Sequence, residues 1–167
     1  MRDDLGRPIR PLREEDMLLP TDITPSALGL RWGMSREQCA EVLKAPSIMS
    51  PQYNSAVLAL YIKRTQYDIR LWFANEKLER ISVDLYQSRD FWDGDYSEDE
   101  EAAAQEEAMR LYKSLEEQYS QSLGDPRSSD KEEQRTIWDH REGHIQLELE
   151  RYDREFPYTV RVSSMQI

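Results

Sequence analysis

Hydrophobic and polar residues alternate along two stretches in the first half of the chain, a pattern typical of β-strands with one buried face. The apolar positions are Tyr67, Ile69, Leu71 and Phe73 in the first stretch, and Ile81, Val83 and Leu85 in the second. Together with the apolar run before them, they predict strands at about 55–63, 67–74 and 78–86. The short connections between these strands favour an antiparallel meander.

The same period of two returns near the C-terminus. Ile145, Leu147 and Leu149 alternate with Gln146, Glu148 and Glu150, and Tyr158, Val160 and Val162 alternate with polar residues in the same way. We therefore predict three more strands, near 135–140, 144–151 and 157–164. They are expected to form a second meander.

A helix is predicted in front of each meander. Ser35 and Gln38 have the spacing of a capping box, so a short helix should begin there and end before Pro46. Residues 98–121 are rich in good helix formers, and Gly124 follows as a stop signal. The apolar stripes of the two helices are Cys39, Val42 and Leu43 in the first, and Ala108, Leu111, Tyr112, Leu115 and Tyr119 in the second.

The order of a helix followed by a meander occurs twice, which favours a tandem α-β-β-β repeat. Ile69 and Ile145 are 76 positions apart, and Val83 and Val160 are 77 apart. The predicted fold class is α+β: a single domain over 28–167, with pseudo-repeats 28–88 and 97–167. Its antiparallel sheet of about six strands would pack on two helices that cover one face. Residues 1–27 contain four prolines and are expected to form an extended or disordered arm.

Charge limits the classes of partner. The 167 residues include 33 Asp and Glu against 22 Lys and Arg, a formal net charge of −11. Nucleic acid and anionic membranes both require clustered basic residues, so we expect neither as a partner and leave a basic protein open. Residues 90–107 contain nine acidic residues and no basic one, so the other 149 residues sum to −2.

The sequence contains few signals of membrane insertion, secretion or disulfide formation. The longest apolar run, 56–62, is far shorter than the roughly 20 residues that span a bilayer. The charged N-terminus lacks the apolar core of a secretory signal, which favours a cytoplasmic location. Cys39 is the single cysteine, so the chain has no internal disulfide framework and no multi-cysteine zinc site.

The segment Leu28-Gly29-Leu30-Arg31-Trp32-Gly33-Met34-Ser35, followed by a short helix, a proline and a meander, resembles the opening of a class of small bacterial modules. The class includes the beta-lactamase inhibitor protein and the small lipoprotein of the outer-membrane protein assembly machine. The resemblance in element order covers residues 28–164. It implies that the chain binds other proteins through its sheet or loops and has no catalytic centre. The chain lacks the inhibitor's disulfides and a lipobox cysteine.

Candidate catalytic and metal-binding residues fit their motifs poorly. His140 and His144 have Glu142 between them, whereas a zinc protease needs His-Glu-x-x-His on a helix, so a hairpin turn is the favoured interpretation. Aligning Gly94 with the sixth position of a calcium loop puts Arg89 and Phe91 at ligand positions, which favours a solvated acidic loop. Cys39 lies on an apolar helix stripe, as a buried residue would. We predict no catalytic residue, no metal and no cofactor.

Two clusters are candidate binding surfaces. If Leu71 faces the helices, alternation places Trp72 on the opposite face of the sheet, where a large indole among charged groups suits a protein-binding hot spot. The other residues predicted on that face are Arg70, Tyr86, Glu148 and Glu150. The second cluster combines aromatic anchors with steering charge in an acidic loop. It consists of Phe91, Trp92, Asp93, Asp95 and Tyr96.

The sequence therefore favours a non-catalytic protein-binding module of the immunity or inhibitor type. Its partner would be a protein, such as a basic toxin. Carboxylates of this chain would then cover the toxin's site at the positions where phosphates would lie. Two alternatives remain open: a scaffold or assembly component that oligomerises through the open sheet face, and a metal-dependent enzyme that uses His140 and His144. The N-terminal arm folded over Trp72 would also remove the first candidate surface.

Overall fold

The computed structural model describes residues 18–49, 54–88, 97–151 and 158–166, which form two α-helices and one seven-stranded antiparallel sheet. The helices are α1 (Arg36–Leu43) and α2 (Glu98–Leu123). The strands are β1 (Ser55–Ile62), β2 (Thr65–Ala74), β3 (Lys77–Gln87), β4 (Ser128–Asp130), β5 (Arg135–His140), β6 (Gly143–Glu150) and β7 (Thr159–Met165). Short 3₁₀ helices span Pro20–Ile23, Ser26–Leu28 and Pro46–Met49.

Both helices begin at the predicted residues, and each is capped by a serine. Ser35 Oγ accepts a 3.1 Å hydrogen bond from the Gln38 amide, and Gln38 Oε1 accepts one of 3.0 Å from the Ser35 amide. This capping box satisfies two amides that the first turn of α1 leaves without helical partners. Ser97 Oγ accepts from the Glu100 amide and caps α2. The predicted helix starts are therefore confirmed, and α2 extends two residues beyond its predicted end.

Six of the strands lie within two residues of their predicted bounds. Four of them, β2, β3, β6 and β7, follow the period of two that is typical of a strand with one buried face. The sheet has seven strands, where about six were predicted. The additional strand, β4, pairs Ser128 with Ile137 on β5. Its three residues are polar and exposed, so they carry no alternation that a sequence pattern could reveal.

The strand order is β1-β2-β3-β7-β6-β5-β4, so the third strand of each meander meets the other at the centre of the sheet. Facing positions form continuous rows across it. One row runs through Leu71, Ile81, Ser164, Ile145 and Trp138. All five residues are buried beneath the helices, and the four apolar ones belong to the single hydrophobic core between the sheet and the helices.

Both helices cover that side of the sheet. From α1, the Arg36 guanidinium lies 4.7 Å from the centre of the Phe73 ring on β2. From α2, Tyr119 packs edge to face on Trp138 of β5, with ring centres 5.9 Å apart. The opposite side of the sheet is therefore left without a helix of the described chain, which positions the candidate surface.

The packed domain begins before the predicted boundary at residue 28. Leu18 and Ile23 are buried, and the Tyr119 hydroxyl donates a 3.4 Å hydrogen bond to the Leu18 carbonyl. Asp22 forms a 3.1 Å ion pair with Lys63 in the turn between β1 and β2. The described part of the predicted arm thus folds onto the helix side, because its apolar residues complete the core, and it leaves Trp72 uncovered.

Candidate protein-binding face

The side of the sheet opposite the helices carries a band of charged and polar side chains. We call it the polar sheet face. Its central members follow from the strand register, in which Trp72 faces Arg80, Ser82 faces Ser163 and Asp84 faces Arg161. The predicted residues that lie there are Arg70, Trp72, Glu148 and Glu150.

Trp72 is half-buried and held from three sides. Its indole nitrogen donates a 2.9 Å hydrogen bond to Ser82 Oγ. The guanidinium carbons of Arg70 and Arg80 each lie 5.4 Å from the centre of the ring. Arg70 is itself fixed by a 2.9 Å hydrogen bond to Ser55 Oγ. Cation–π attraction and the hydrogen bond together restrict the indole to one position, so little side-chain entropy remains to be lost on binding.

Arg80 links the indole to Glu148. Its guanidinium donates to Glu148 Oε1 at 3.3 Å and to Ser163 Oγ at 3.0 Å. Burial lowers the pKa of Arg80, although the nearby Glu148 carboxylate opposes that change. Glu148 is only 8% exposed and also lies 3.8 Å from both Arg135 and Arg161. The charge of a carboxylate so deeply buried must be compensated by cations, and Arg80, Arg135 and Arg161 supply three.

Arg161 closes the network. It contacts Asp84 Oδ1 at 2.6 Å and Glu150 Oε2 at 2.8 Å. Burial lowers the pKa of Arg161, but the hydrogen bond and charge of Asp84, together with the charges of Glu150 and Glu148, more than offset it, so the net shift is upward. Burial raises the pKa of Glu150, against the opposing charge of Arg161. The glutamates predicted as partner contacts are therefore engaged with arginines of the same sheet.

A groove lies beside the indole on this face. Its volume is about 530 Å³, and Val57, Asp68, Arg70 and Asp84 contribute to its walls. Two aliphatic residues, Val57 and Leu85, line it together with polar residues and both signs of charge, which suits a polar protein segment better than an apolar ligand.

Tyr86 corrects the prediction of the face. Plain alternation along β3 placed it beside Trp72, but a bulge between Asp84 and Tyr86 shifts the register. Tyr86 lies opposite the buried Val160, and its hydroxyl donates a 3.2 Å hydrogen bond to Glu107 of α2. It therefore belongs to the helix side. A bulge adds one residue to a strand and reverses the sides that follow, which a pattern of alternation does not reveal.

The second predicted cluster lies outside the described residues. It comprises Phe91, Trp92, Asp93, Asp95 and Tyr96. The acidic first turn of α2, which follows directly, is described and contains Glu98, Asp99, Glu100 and Glu101. Negative charge here is stabilised by the helix dipole, and Glu101 also pairs with Arg151.

The two histidines do not converge. They flank a tight turn between β5 and β6, in which Asp139 lies opposite His144 and His140 lies opposite Gly143. Neighbouring residues of a strand point to opposite faces, so the imidazoles lie on opposite sides of the sheet. His144 Nδ1 is 3.6 Å from Asp139 Oδ1. Across the described ranges, no group of three or more metal-ligating side chains comes together.

Cys39 is fully buried, as predicted. Burial raises the pKa of its thiol to about 11, because the charged thiolate is poorly solvated there. A thiol in this state is a packing residue rather than a nucleophile.

Sequence reasoning missed Arg80, Ser82 and Arg161 as members of the site. Alternation along β3 and β7 would have placed each of them on this face, but their pairing with Trp72 and Glu148 depends on strand order.

Comparison of the chain with models of protein families, with curated proteins and with solved structures gives no match. None of the helices in the described ranges has the length and apolar character needed to cross a bilayer.

Proposed function

We propose that this chain is a non-catalytic module that binds another protein through the polar sheet face. The observation that carries the proposal is the half-buried indole of Trp72, fixed between Arg70 and Arg80 and hydrogen bonded to Ser82. Tryptophan and arginine are the residue types most enriched at binding hot spots, and an anchor that is already ordered loses little entropy when a partner docks.

The charge distribution indicates a basic partner. Within the polar sheet face Arg80 and Arg161 are paired with Glu148, Asp84 and Glu150, so these charges largely cancel. The acidic residues of the chain are concentrated in residues 90–107, which hold nine of them and no basic residue. Such a segment accelerates the approach of a basic protein, after which Trp72 supplies the apolar contact.

The resemblance to the inhibitor-type modules supports an immunity or inhibitor role that neutralises a basic toxin or enzyme, in the cytoplasm. The tandem α-β-β-β repeat is part of this proposal. It is supported by the strand order, in which β1-β2-β3 and β7-β6-β5 are two meanders arranged about the central β3–β7 pair. It is also supported by the helices, since α1 lies on the first meander and α2 on the second.

Co-expression with the product of the adjacent gene tests the proposal. We expect the two proteins to co-purify, and Trp72→Ala to weaken the measured affinity by at least tenfold. Leu111→Ala, which shortens a half-buried side chain on α2, on the other side of the sheet, provides a matched control and should leave binding nearly unchanged. If no complex forms, or if both variants bind equally well, the polar sheet face is not the binding surface.

The alternative of a scaffold that oligomerises through the polar sheet face predicts a different result. A homo-oligomer formed there would bury Trp72, so Trp72→Ala would dissociate it without any second protein. Metal-dependent catalysis through His140 and His144 is the third possibility, and their location on opposite faces counts against it. Elemental analysis of the purified chain tests it directly.

A further inference from the structure

Strand β1 forms one edge of the sheet, since among the described residues it pairs only with β2. Its sequence, Ser-Ala-Val-Leu-Ala-Leu-Tyr-Ile, contains no charge and no proline, in a chain of which 33% of the residues are charged. Its pairing with β2 has no bulge. Natural edge strands usually carry a charge, a proline or a bulge, which prevents another strand from pairing with them. The opposite edge, β4, is protected: it is three residues long, polar and exposed.

The direction of the backbone groups on β1 follows from its pairing. The Phe73 amide donates a 2.7 Å hydrogen bond to the Asn54 carbonyl, so Asn54 and every second residue after it bond to β2. Ser55, Val57, Ala59 and Tyr61 therefore direct their amide and carbonyl groups outward from the edge. A second strand would find a regular row of donors and acceptors here.

Exposed hydrophobic side chains concentrate along the same margin. Val57 is 45% exposed and Tyr61 is 76% exposed, and both belong to β1. The remaining large exposed hydrophobic residues of the described chain are Val42 on α1 and Met49, which lies shortly before β1. Two of the four thus belong to β1 itself, which distinguishes this edge from the rest of the described surface.

We propose that a second copy of this chain pairs antiparallel with β1, in a register centred on Ala59. In that register Val57 of each copy lies opposite Tyr61 of the other, an aromatic and β-branched pair of the kind that stabilises sheets. Because the two identical strands run in opposite directions, the Val57–Tyr61 pair occurs twice, and a two-fold axis relates the two copies. The result is one continuous sheet through both copies.

Charge favours the second copy at this edge. The acidic helix α2 packs on Trp138 and Thr136 of β5, at the other end of the sheet. Pairing at β1 therefore places the two acidic helices at the far ends of the joined sheet. The Lys63-Arg64 turns also lie at opposite ends, because the strands run antiparallel. This separation limits the self-repulsion between two chains that each carry a net charge of −11.

Sedimentation equilibrium of the full chain tests the proposal. We expect twice the 19.8 kDa of one chain, and a dissociation constant raised at least tenfold in the double variant Val57→Lys/Tyr61→Lys. Gln87→Lys adds the same kind of charge to an interior strand and should remain a dimer. Circular dichroism confirms that each variant is folded. A wild-type chain that stays monomeric at high micromolar concentration, or a dimer unaffected by the double variant, overturns the proposal.

Cysteine cross-linking tests the register. In the proposed pairing the two Ala59 residues face each other, about 5.5 Å apart between Cα atoms, which a disulfide can span. The two Tyr61 residues are offset by about 13 Å along the strand. Mild oxidation should therefore link Ala59→Cys chains and leave Tyr61→Cys chains free, while the buried Cys39 does not react. Linkage of Tyr61→Cys instead, or of neither, excludes the register.

Discussion

The indole nitrogen of Trp72 on β2 donates a 2.9 Å hydrogen bond to the Oγ atom of Ser82 on β3. The bond joins two neighbouring strands on the side of the sheet away from the helices. A second tryptophan, Trp138, lies on the other side, fully buried and bonded to Ser120 of α2 at 3.3 Å. Two residues of the same type thus have opposite environments in one sheet, which makes them an internal comparison.

Trp138→Ala should lower the free energy of unfolding by about 3–5 kcal/mol, because it leaves a large cavity under α2. Trp72→Ala should lower it by only about 1–2 kcal/mol, since one hydrogen bond and partial burial are lost. Urea unfolding followed by circular dichroism measures both. Losses of equal size would mean that Trp72 is a core residue, and the case for a binding anchor would fail.

The acidic start of α2 should set the rate at which a basic partner associates. Replacing Glu98, Asp99 and Glu100 by Gln, Asn and Gln should lower the association rate constant severalfold to tenfold at low salt and leave dissociation nearly unchanged. Surface plasmon resonance separates the two constants. Glu132→Gln/Glu133→Gln, in an exposed turn far along the chain, is the control. An equal effect of both variants would indicate net charge rather than a local patch.

Glu142 should make stability depend on pH. Burial alone raises the pKa of this carboxyl, but hydrogen bonds from the Ser26 hydroxyl at 2.7 Å and amide at 3.0 Å lower it below its usual 4.5. A depressed native pKa gives stability that is complete above about 4.5 and is lost as the pH falls through the native value. In the Glu142→Gln variant, the free energy of unfolding should therefore fall less steeply between pH 5 and pH 3.

Urea unfolding at several pH values checks this prediction. Glu41→Gln, the same change at an exposed position on α1, serves as the control and should keep the wild-type slope. An unchanged slope in Glu142→Gln would show that the Ser26 contacts do not hold this carboxylate in solution.

Cys39 should resist alkylation in the folded protein. With its pKa at about 11, roughly one thiol in a thousand is ionised at pH 8, and burial hinders access further. Iodoacetamide should therefore modify the native chain at least a hundredfold more slowly than the chain in urea, as measured by mass spectrometry. Fast labelling in native buffer would mean that α1 opens readily, because Cys39 packs on its inner face.

The sequence reveals those features that depend on neighbouring residues. The period of two identified β2, β3, β6 and β7, an apolar run identified β1, and Ser35 and Gln38 identified the start of α1, since a capping box is complete within four residues. It did not reveal β4, whose three polar residues have no apolar face. It placed Leu18–Ala27 in an arm, because proline content is local and the burial of Ile23 depends on a distant core.

The candidate site divides in the same way. Alternation alone set Trp72, Arg70, Glu148 and Glu150 on the side away from the helices. Only the tertiary structure joined β3 to β7, and this pairing brings Arg80 to Glu148 and Arg161 to Asp84 from positions 68 and 77 residues apart. Tyr86 moved to the other side through one bulge. Periodicity fixes which face a side chain takes, whereas strand order, register and bulges follow from packing the whole chain.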